Sequence, residues 1–392
     1  MSLLQTSSIL KQTANNLVPI KNNLIKSIKL TQQLRNLSLN ANKKEISKIN
    51  PIEKPVKSSR TKISQLLTPA QSNEIGFASG GQILSWIDVC AGITSKRHAV
   101  YKCVTASVDS VHFFNPIKVG EIATLTSKVN RTWNTSMEVA VTVCSENLLS
   151  GEKKPCCQAY LTFVGVGNNG KPAPVPKVVP ITEQEKIEYE RADIRKWKRI
   201  AQAKPSITRE RAREKIINYS KASVSSWPGS IASSYTEMVE MVMPHHINPY
   251  GSTFGGQIMT WMENCALISA SRYARTPLVT ASMDAIHFLL PIKNSDFVTV
   301  RSFVSAVFES SIEVYVTVEV ENHETGKKVF ANDGFITFVA VESKNHPVPT
   351  AVQKPINGKV NFSNGLERRK HRLEERESLR NFFSKKSTNS IW

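Results

Sequence analysis

The chain has 392 residues, of which 40% are hydrophobic and 21% are charged, and its formal net charge is +19. This length and apolar content suffice for two ordinary domains with tails. No apolar run approaches the roughly 20 residues that cross a bilayer, so the sequence predicts a soluble protein without stable membrane insertion. The six cysteines show no metal-ligand spacing, which predicts reduced thiols and no structural zinc.

The positive charge lies largely at the two ends of the chain. Residues 1–44 contain seven Lys or Arg and no acidic residue, and residues 366–386 are basic again. A nucleic-acid-binding domain would instead concentrate its charge in one stripe with interleaved aromatic side chains. The sequence therefore predicts no nucleic-acid partner.

The N-terminal extension, residues 1–60, spaces Leu and Ile among lysines and has no acidic residue before Glu45. This pattern is typical of an amphipathic organellar presequence and predicts a mitochondrial location. Arginine is scarce in this segment, which weakens the presequence interpretation and leaves a disordered tail as the alternative. In that case the protein would be cytosolic. For the basic C-terminal tail, residues 351–392, we expect a solvated helix with pairs between arginines such as Arg376 and Arg380 and neighbouring glutamates.

The middle of the chain repeats itself at a shift of 175 residues. The segment "GGQILSWIDVCAGITSKRHA" (80–99) aligns with "GGQIMTWMENCALISASRYA" (255–274), and "VTASVDSVHFFNPIK" (104–118) aligns with "VTASMDAIHFLLPIK" (279–293). About two aligned positions in five are identical from residue 69 to 164. Two copies of a unit this long predict two complete domains rather than a solenoid. We expect domains at 61–180 and 231–350, joined by a charged, helix-containing linker at 181–230.

Both repeats show the same order of predicted elements. A glycine-led apolar segment of about five helical turns comes first, and alternating stretches such as "EVAVTV" and "IEVYVTVEV" follow with the period of antiparallel strands. Gly151 and Gly326 mark turns between strands. A helix that is apolar on nearly every face must be enclosed, so each repeat is expected to be an α+β unit in which an antiparallel sheet wraps around a long central helix.

The motif Asn-x-x-Gly-x-x-x-Gly-Gly-Gln in "NPYGSTFGGQ" (248–257), followed by Trp-x-Asp/Glu, resembles the double hotdog acyl-CoA thioesterases of the eukaryotic cytosolic hydrolase and brown-fat-inducible type. The resemblance covers roughly residues 65–345. It implies two hotdog folds paired within one chain, often assembled into trimers of such chains, and an acyl-CoA substrate hydrolysed without metal or redox cofactor. Some relatives carry a C-terminal lipid-binding domain, which we do not expect here.

The residues alone single out the start of each apolar helix. A helix N-terminus offers unpaired N–H groups, so the backbone at Gly81 or Gly256 can hold a developing oxyanion; the alternative is that the glycines only allow close helix packing. Asp88 lies two turns further along. A partly desolvated carboxylate there is a candidate base or nucleophile, and the resemblance implies the same role; the alternative is a structural aspartate.

The resemblance also implies that each site combines the helix carboxylate of one repeat with the asparagine loop of the other. Carried over, Asn248 faces Asp88 and Asn73 faces Glu263. The loop of Asn248 matches the family better than that of Asn73 in "QSNEIGFASGG", so we expect the Asp88 site to be the active one and the Glu263 site to be weakened. Either asparagine could instead be a turn or cap residue.

Further residues are candidates for binding the substrate. Thr105 and Thr280 can add a hydroxyl near each site, although threonine is also simply a good strand residue. The phosphates of CoA require basic side chains at the mouth of the site, for which the repeated candidates are Arg97, Arg272, Lys118 and Lys293. A helix-terminal arginine also suits the helix dipole without any ligand.

Two other functions compete with thioester hydrolysis. Hotdog hydratases or dehydratases act on acyl thioesters with the same fold, but they need an acid and histidine pair that the sequence does not show at the family spacing. A catalytically silent acyl-CoA-binding protein is the second alternative. Loss of activity on replacing Asp88 would exclude the silent protein.

Overall fold

A computed structural model of the chain describes residues 53–202, 210, 212–214, 216–218, 232–342 and 365–387. Of the N-terminal extension expected at residues 1–60, residues 1–52 lie outside the described residues, as does the predicted end of the linker near residue 230; residues 53–60 are part of the fold. None of the described helices combines the length and apolarity needed to cross a membrane. All six cysteines are buried, and none of them forms a disulfide bond.

The first repeat is a curved antiparallel sheet around one helix. Its elements are β1 (Glu53–Pro55), β2 (Thr61–Leu66), α1 (Gly80–Ala99), β3 (Cys103–Val108), β4 (Val111–His112), β5 (Ile122–Thr132), β6 (Ser136–Glu146), β7 (Lys153–Gly165) and β8 (Lys177–Val179). Strands β3, β7, β6, β5 and β2 are neighbours in that order. A helix, α2 (Glu183–Gln202), follows within the predicted linker.

The second repeat has the same architecture. Its elements are β9 (Thr236–Met241), α3 (Gly255–Ala274), β10 (Leu278–Met283), β11 (Ile286–His287), β12 (Phe297–Val307), β13 (Ser311–Glu321) and β14 (Lys328–Ala340), after which comes α4 (Gly365–Ser387). Strands β10, β14, β13, β12 and β9 are neighbours in that order. The expected α+β class, with two antiparallel sheets that each enclose a long helix, is confirmed.

Each repeat lends a short strand to the sheet of the other. Strand β4 of the first repeat pairs with β10, with Ser282 opposite His112, and β11 of the second repeat pairs with β3, with His287 opposite Ser107. Each sheet therefore has six strands, one of which belongs to the other repeat. An isolated repeat would leave the edges of β3 and β10 unpaired.

The two central helices pack directly against each other near their N-termini, where only glycine fits. A Cβ atom on Gly256 would lie 2.6 Å from Cα of Ser85, and one on Gly81 would lie 2.9 Å from Cα of Thr260. The hydroxyl of Thr260 also donates to the carbonyl of Gly81 at 3.0 Å. The close packing that the sequence left as an alternative role for these glycines is therefore present.

The central strands of each sheet, such as β6 and β13, are buried on both faces. On β13, Val314 and Val316 belong to the core around α3, whereas Tyr315 packs on the outer face with Phe303 and Phe335. The carboxylate of Glu313 on the same outer face is fully buried. This outer face explains why charged residues occur within otherwise apolar strands.

Helices α2 and α4 are anchored on these outer faces by equivalent ion pairs. In the first repeat, Arg195 and Arg199 bind Glu138 at 2.6 and 3.0 Å, and Arg199 also binds Asp109. In the second repeat, Arg368 and Arg372 both bind Glu313 at 2.6 Å, and Arg372 also binds Asp284 at 3.2 Å. These buried carboxylates need their partners, because an unpaired buried charge costs several kcal/mol.

The C-terminal tail thus differs from the solvated helix that we expected. Arg372 is only 7% exposed, and the i,i+3 pair between Glu377 and Arg380 lies on the solvent side, where both side chains are more than half exposed. The charged composition of the segment concealed its role, because the partners of its arginines lie in strands more than 50 residues away.

The glycine contact generates a stability prediction. Gly256→Ala should lower the free energy of unfolding by about 1–3 kcal/mol, because its methyl group must push the two helices apart. Gly92→Ala on the open side of α1, where an added Cβ meets nothing within 4 Å, should instead raise stability by up to about 1 kcal/mol. Denaturant unfolding of both variants measures the contrast; equal effects of the two changes would contradict the proposed role of the contact.

Candidate active site

The carboxylate of Asp88 is held by groups from both repeats. It is 2% exposed. Its Oδ2 accepts a hydrogen bond from the backbone N–H of Gly256 at 2.9 Å, and its Oδ1 accepts one from the hydroxyl of Thr105 at 2.8 Å. The side chain of α1 therefore caps the N-terminus of α3, where the partial positive charge of the helix stabilises an anion.

The carboxylate of Glu263 makes the reciprocal contact from α3 to α1. Its Oε1 accepts a hydrogen bond from the N–H of Gly80 at 3.2 Å and from the hydroxyl of Thr280 at 2.6 Å. Its Oε2 is buried and has no hydrogen-bond partner among the described residues. Oε1 of Glu263 is thus held by two donors, whereas the two oxygens of Asp88 each accept one hydrogen bond.

Burial raises the pKa of both carboxyl groups. For Asp88 the hydrogen bonds from Gly256 and Thr105 lower the pKa and oppose this effect, and for Glu263 those from Thr280 and Gly80 do so. In each case the desolvation is the larger cause. A carboxylate with a raised pKa is a stronger base than one in water, which is the property that a proton acceptor requires.

The backbone donors differ in part from the expectation. Gly81 and Gly256 were predicted to hold an oxyanion through their N–H groups, but the N–H of Gly256 donates to Asp88. The carboxylate predicted to share a face with its own helix N-terminus in fact reaches the N-terminus of the partner helix. The spacing along one helix could not reveal this, because the relation depends on how the two repeats cross.

The two asparagine loops have nearly the same backbone geometry. The N–H of Asn73 donates to the carbonyl of Phe77 at 2.7 Å, and that of Asn248 donates to the carbonyl of Ser252 at 2.7 Å. Each asparagine also accepts backbone N–H bonds at its Oδ1 from within its own loop. The divergent sequence around Asn73, from which we expected a weakened site, has therefore not changed the turn.

An open cleft of about 380 Å³ lies at the Glu263 site. Asn73 and Gly80 of the first repeat line it together with Glu263 and Thr280 of the second, so the cleft brings the asparagine loop of one repeat to the carboxylate of the other. Its apolar walls are formed by the side chains of Phe77, Ile83, Phe113, Phe114, Leu267, Leu278 and Phe308.

An aromatic side chain distinguishes the two sites. A Cβ atom on Gly255 would lie 3.1 Å from the ring of Phe288 and 3.5 Å from Oδ1 of Asp88, so this ring lies against the helix start beside the carboxylate. At the equivalent Gly80 the nearest atoms are those of Thr280, and Phe113, the counterpart of Phe288, lines the open cleft. The geometry therefore does not favour the ranking of the two sites that we inferred from the loop sequences.

The four basic residues predicted to bind substrate fall into two pairs. Arg97 donates to the carbonyl of Arg60 at 3.0 Å, and Arg272 donates to the carbonyl of Tyr235 at 2.7 Å. Each arginine thus connects the C-terminal end of a central helix to the start of the first long strand of its repeat. This position does not support the predicted role of the two arginines in binding substrate.

Lys118 and Lys293 lie beside the asparagine loops. Lys118 pairs through its backbone with Phe77, and Lys293 with Ser252, and both side chains are exposed. Basic residues that sequence reasoning missed lie at the Asn248 loop: the ammonium groups of Lys96 and Lys102 are 5.7 and 5.5 Å from the ring centroid of Tyr250.

Comparisons with known proteins agree with the repeat. The thioesterase superfamily model matches residues 75–151 and 250–327, once in each repeat. Acyl-coenzyme A thioesterase 11 of Mus musculus is 35% identical over 317 residues, which cover 80% of this chain and 53% of that protein. The chain thus spans about half the length of that relative.

In two further comparisons the alignment covers most of the length of the related protein. The cytosolic acyl coenzyme A thioester hydrolase of Mus musculus is 30% identical over 328 residues, which cover 78% of this chain and 81% of that protein. Among solved structures, an apo-hexameric acyl-CoA thioesterase is 43% identical with a TM-score of 0.39, and the alignment covers 40% of this chain and 99% of that one.

Proposed function

Because the chain belongs to the thioesterase superfamily, we propose that it hydrolyses acyl-CoA thioesters to a free acid and CoA. The curated relatives carry this activity in their names. The observation that carries the proposal is the unpartnered Oε2 of Glu263, a buried carboxylate oxygen in a residue that lines an open cleft. A histidine, His112, also lines the cleft, but its Nε2 bonds to Glu375 of α4, which does not favour the hydratase alternative.

Glu263 is the proton acceptor in this mechanism. Its carboxylate takes a proton from water as the water oxygen adds to the thioester carbonyl, and collapse of the tetrahedral intermediate breaks the C–S bond. The departing thiolate then takes up a proton, which leaves the acid and CoA. Gly80 and Thr280 hold Oε1, so that the carboxylate is oriented before the reaction begins.

The oxyanion is stabilised at the start of α1. The partial positive charge of this helix N-terminus favours negative charge that develops on the carbonyl oxygen, and the N–H of Gly80 itself donates to Glu263. Asn73 contributes its amide Nδ2, because its Oδ1 is already bonded to the N–H groups of Ile75 and Phe77. Asn73 lines the same cleft as Glu263.

Asp88, Asn248 and the N–H of Gly256 form the pseudo-equivalent second site. We propose that this site contributes less, because both oxygens of Asp88 are engaged and because Phe288 lies against the start of α3. This reverses the ranking expected from the loop sequences. Lys96 and Lys102, which lie over the ring of Tyr250 in the Asn248 loop, favour some substrate binding at the second site because they supply positive charge there.

Assembly and location are further parts of the proposal. Ile194 and Trp197 on α2 are 70% and 69% exposed, an apolar surface that supports association of several chains. The trimer of such chains stays a prediction. For location, the acid-free N-terminus favours import into mitochondria, with the cytosol as the alternative.

The two sites are separated by matched substitutions. Glu263→Gln keeps the shape of the side chain and removes the base, and should lower kcat roughly 100-fold to 10,000-fold. Asp88→Asn should lower kcat less than about fivefold, and Asn73→Ala should cost more than Asn248→Ala because only the former lines the open cleft. Release of CoA from acyl-CoA measures all four variants, with circular dichroism as the control for folding. A larger loss in Asp88→Asn would overturn the assignment.

The raised pKa of Glu263 predicts the pH dependence. The base works only when ionised, so kcat/KM should fall as the pH decreases through a pKa above the ordinary 4.5 of glutamate. Thr280 lowers this pKa by its hydrogen bond, so Thr280→Val should raise the pKa and move the acidic limb to higher pH. Thr105→Val, the matched change at Asp88, should leave the limb in place. A limb that moves equally in both variants would contradict Glu263 as the base.

The import prediction has its own test. Residues 1–55 fused to a fluorescent protein should direct it to mitochondria, because the segment is basic and lacks acidic residues over its first 44 positions. The same fusion with its lysines changed to glutamine is the control and should stay in the cytosol. A cytosolic location of the unchanged fusion would contradict the prediction.

A further inference from the structure

Two arginines of α4 form part of the wall of the Glu263 cleft. Arg369 and Arg376 line it together with Arg372 and Leu373. They are seven residues apart and therefore lie on the same face of the helix, about 10 Å apart along its axis. The C-terminal helix thus contributes to the candidate site from outside both repeats.

The charges of these two arginines are not compensated within the described residues. Arg368 and Arg372 are balanced by Glu313 and Asp284, and Glu375 on the same helix binds His112 and Lys198. No ion pair involves Arg369 or Arg376 in the described part of the chain.

One of these guanidinium groups is also partly desolvated. Nε of Arg376 is buried and has no hydrogen-bond partner among the described residues. A buried donor without a partner costs free energy until an acceptor binds to it. The cleft therefore presents two positive charges that a bound anion would satisfy.

Each of these arginines stands over an aromatic ring that also lines the cleft. The guanidinium carbon of Arg369 is 4.8 Å from the ring centroid of Phe308, and that of Arg376 is 5.8 Å from the ring centroid of Phe114. Planar guanidinium groups bind phosphate oxygens and stack on aromatic faces. Cations next to aromatic faces suit a ligand that has both phosphates and a planar base.

The first repeat does not offer the same pair. The arginines that anchor α2, Arg195 and Arg199, correspond to Arg368 and Arg372 at a shift of 173 residues. At that shift Arg369 corresponds to Lys196, whose ammonium lies 4.7 Å from the ring centroid of Trp133, and Arg376 corresponds to Ala203 in the sequence. The second cation thus belongs to the Glu263 side alone.

We propose that Arg369 and Arg376 bind the phosphates at the nucleotide end of CoA, so that α4 forms the CoA-binding wall of the Glu263 cleft. This inference rests on the proposed acyl-CoA hydrolysis. CoA carries a pyrophosphate and a separate 3′-phosphate, and two cations about 10 Å apart along a helix suit two separate phosphate groups better than a single carboxylate. Arg369 is exposed, as is appropriate for a phosphate that stays partly hydrated.

Binding of CoA to the full-length chain tests the proposal by isothermal titration calorimetry. The double variant with Arg369→Gln and Arg376→Gln should raise the Kd of CoA about tenfold or more, because hydrogen bonds between charged groups are lost. The rise should be smaller for CoA without its 3′-phosphate. Arg380→Gln is the matched control, since it removes a cation of the same helix that pairs with Glu377 outside the cleft, and should leave the Kd unchanged.

Three outcomes would overturn the inference. An unchanged Kd in the double variant would show that the arginines do not bind CoA. An equal rise in Arg380→Gln would show a general effect of charge. Loss confined to acyl-CoA substrates with a terminal carboxylate, with unchanged CoA binding, would assign the two arginines to the acyl group instead. Thermal unfolding of the double variant should match that of the unchanged chain, because the anchoring arginines are intact.

The same measurements separate this inference from the proposed function. A chain that binds CoA through the two arginines but releases no CoA from any acyl-CoA would support the inference and refute the hydrolysis. If the unchanged chain hydrolyses acyl-CoA but the double variant binds CoA as tightly as before, the proposed function is supported and the inference about the two arginines is refuted.

Discussion

The reciprocal capping of the two central helices is the contact on which the rest of the molecule depends. A carboxylate from each helix accepts a hydrogen bond from a backbone N–H at the start of the other: Asp88 accepts from Gly256, and Glu263 accepts from Gly80. Such a contact buries two acidic groups, which is tolerable only because helix N-termini and threonine hydroxyls stabilise the negative charge. It also requires glycine where the helices approach, since any Cβ atom would collide with the partner backbone. Stability of the repeat pair and chemistry of the site thus share the same atoms.

Duplication produced two sites of one design, and individual side chains then made them different. Glutamate is one methylene longer than aspartate; Glu263 accepts hydrogen bonds at one oxygen, and its second oxygen has no hydrogen-bond partner within the part of the chain that the structure describes. Phe288 lies beside Asp88, whereas its counterpart Phe113 lines an open cleft. The two sites therefore differ in their aromatic surroundings without any alteration of the fold.

The outer helices connect the sheets to the site. Equivalent arginine pairs dock α2 and α4 on buried glutamates of the two sheets, and this docking brings Arg369, Arg372 and Arg376 of α4 to the cleft. Residues of a C-terminal segment can then take part in binding although they belong to neither repeat. Glu375 strengthens this link, because it contacts His112 of the first repeat and Lys198 of α2.

The sequence by itself determined the duplication, the α+β class and the central helices, which follow from local periodicity and from identity between repeats. Together with the family resemblance it also singled out the acidic, asparagine and threonine residues as candidates. Only the tertiary structure decided which helix end each carboxylate meets, that Phe288 lies at the helix start beside Asp88, and that α4 docks through Arg368 and Arg372. The repeat of those arginines is visible in "RKWKR" and "RRKHR", but its shift of 173 rather than 175 residues breaks the alignment. Contacts between elements far apart in the chain depend on how the sheets and helices pack, and no local pattern of residues encodes that.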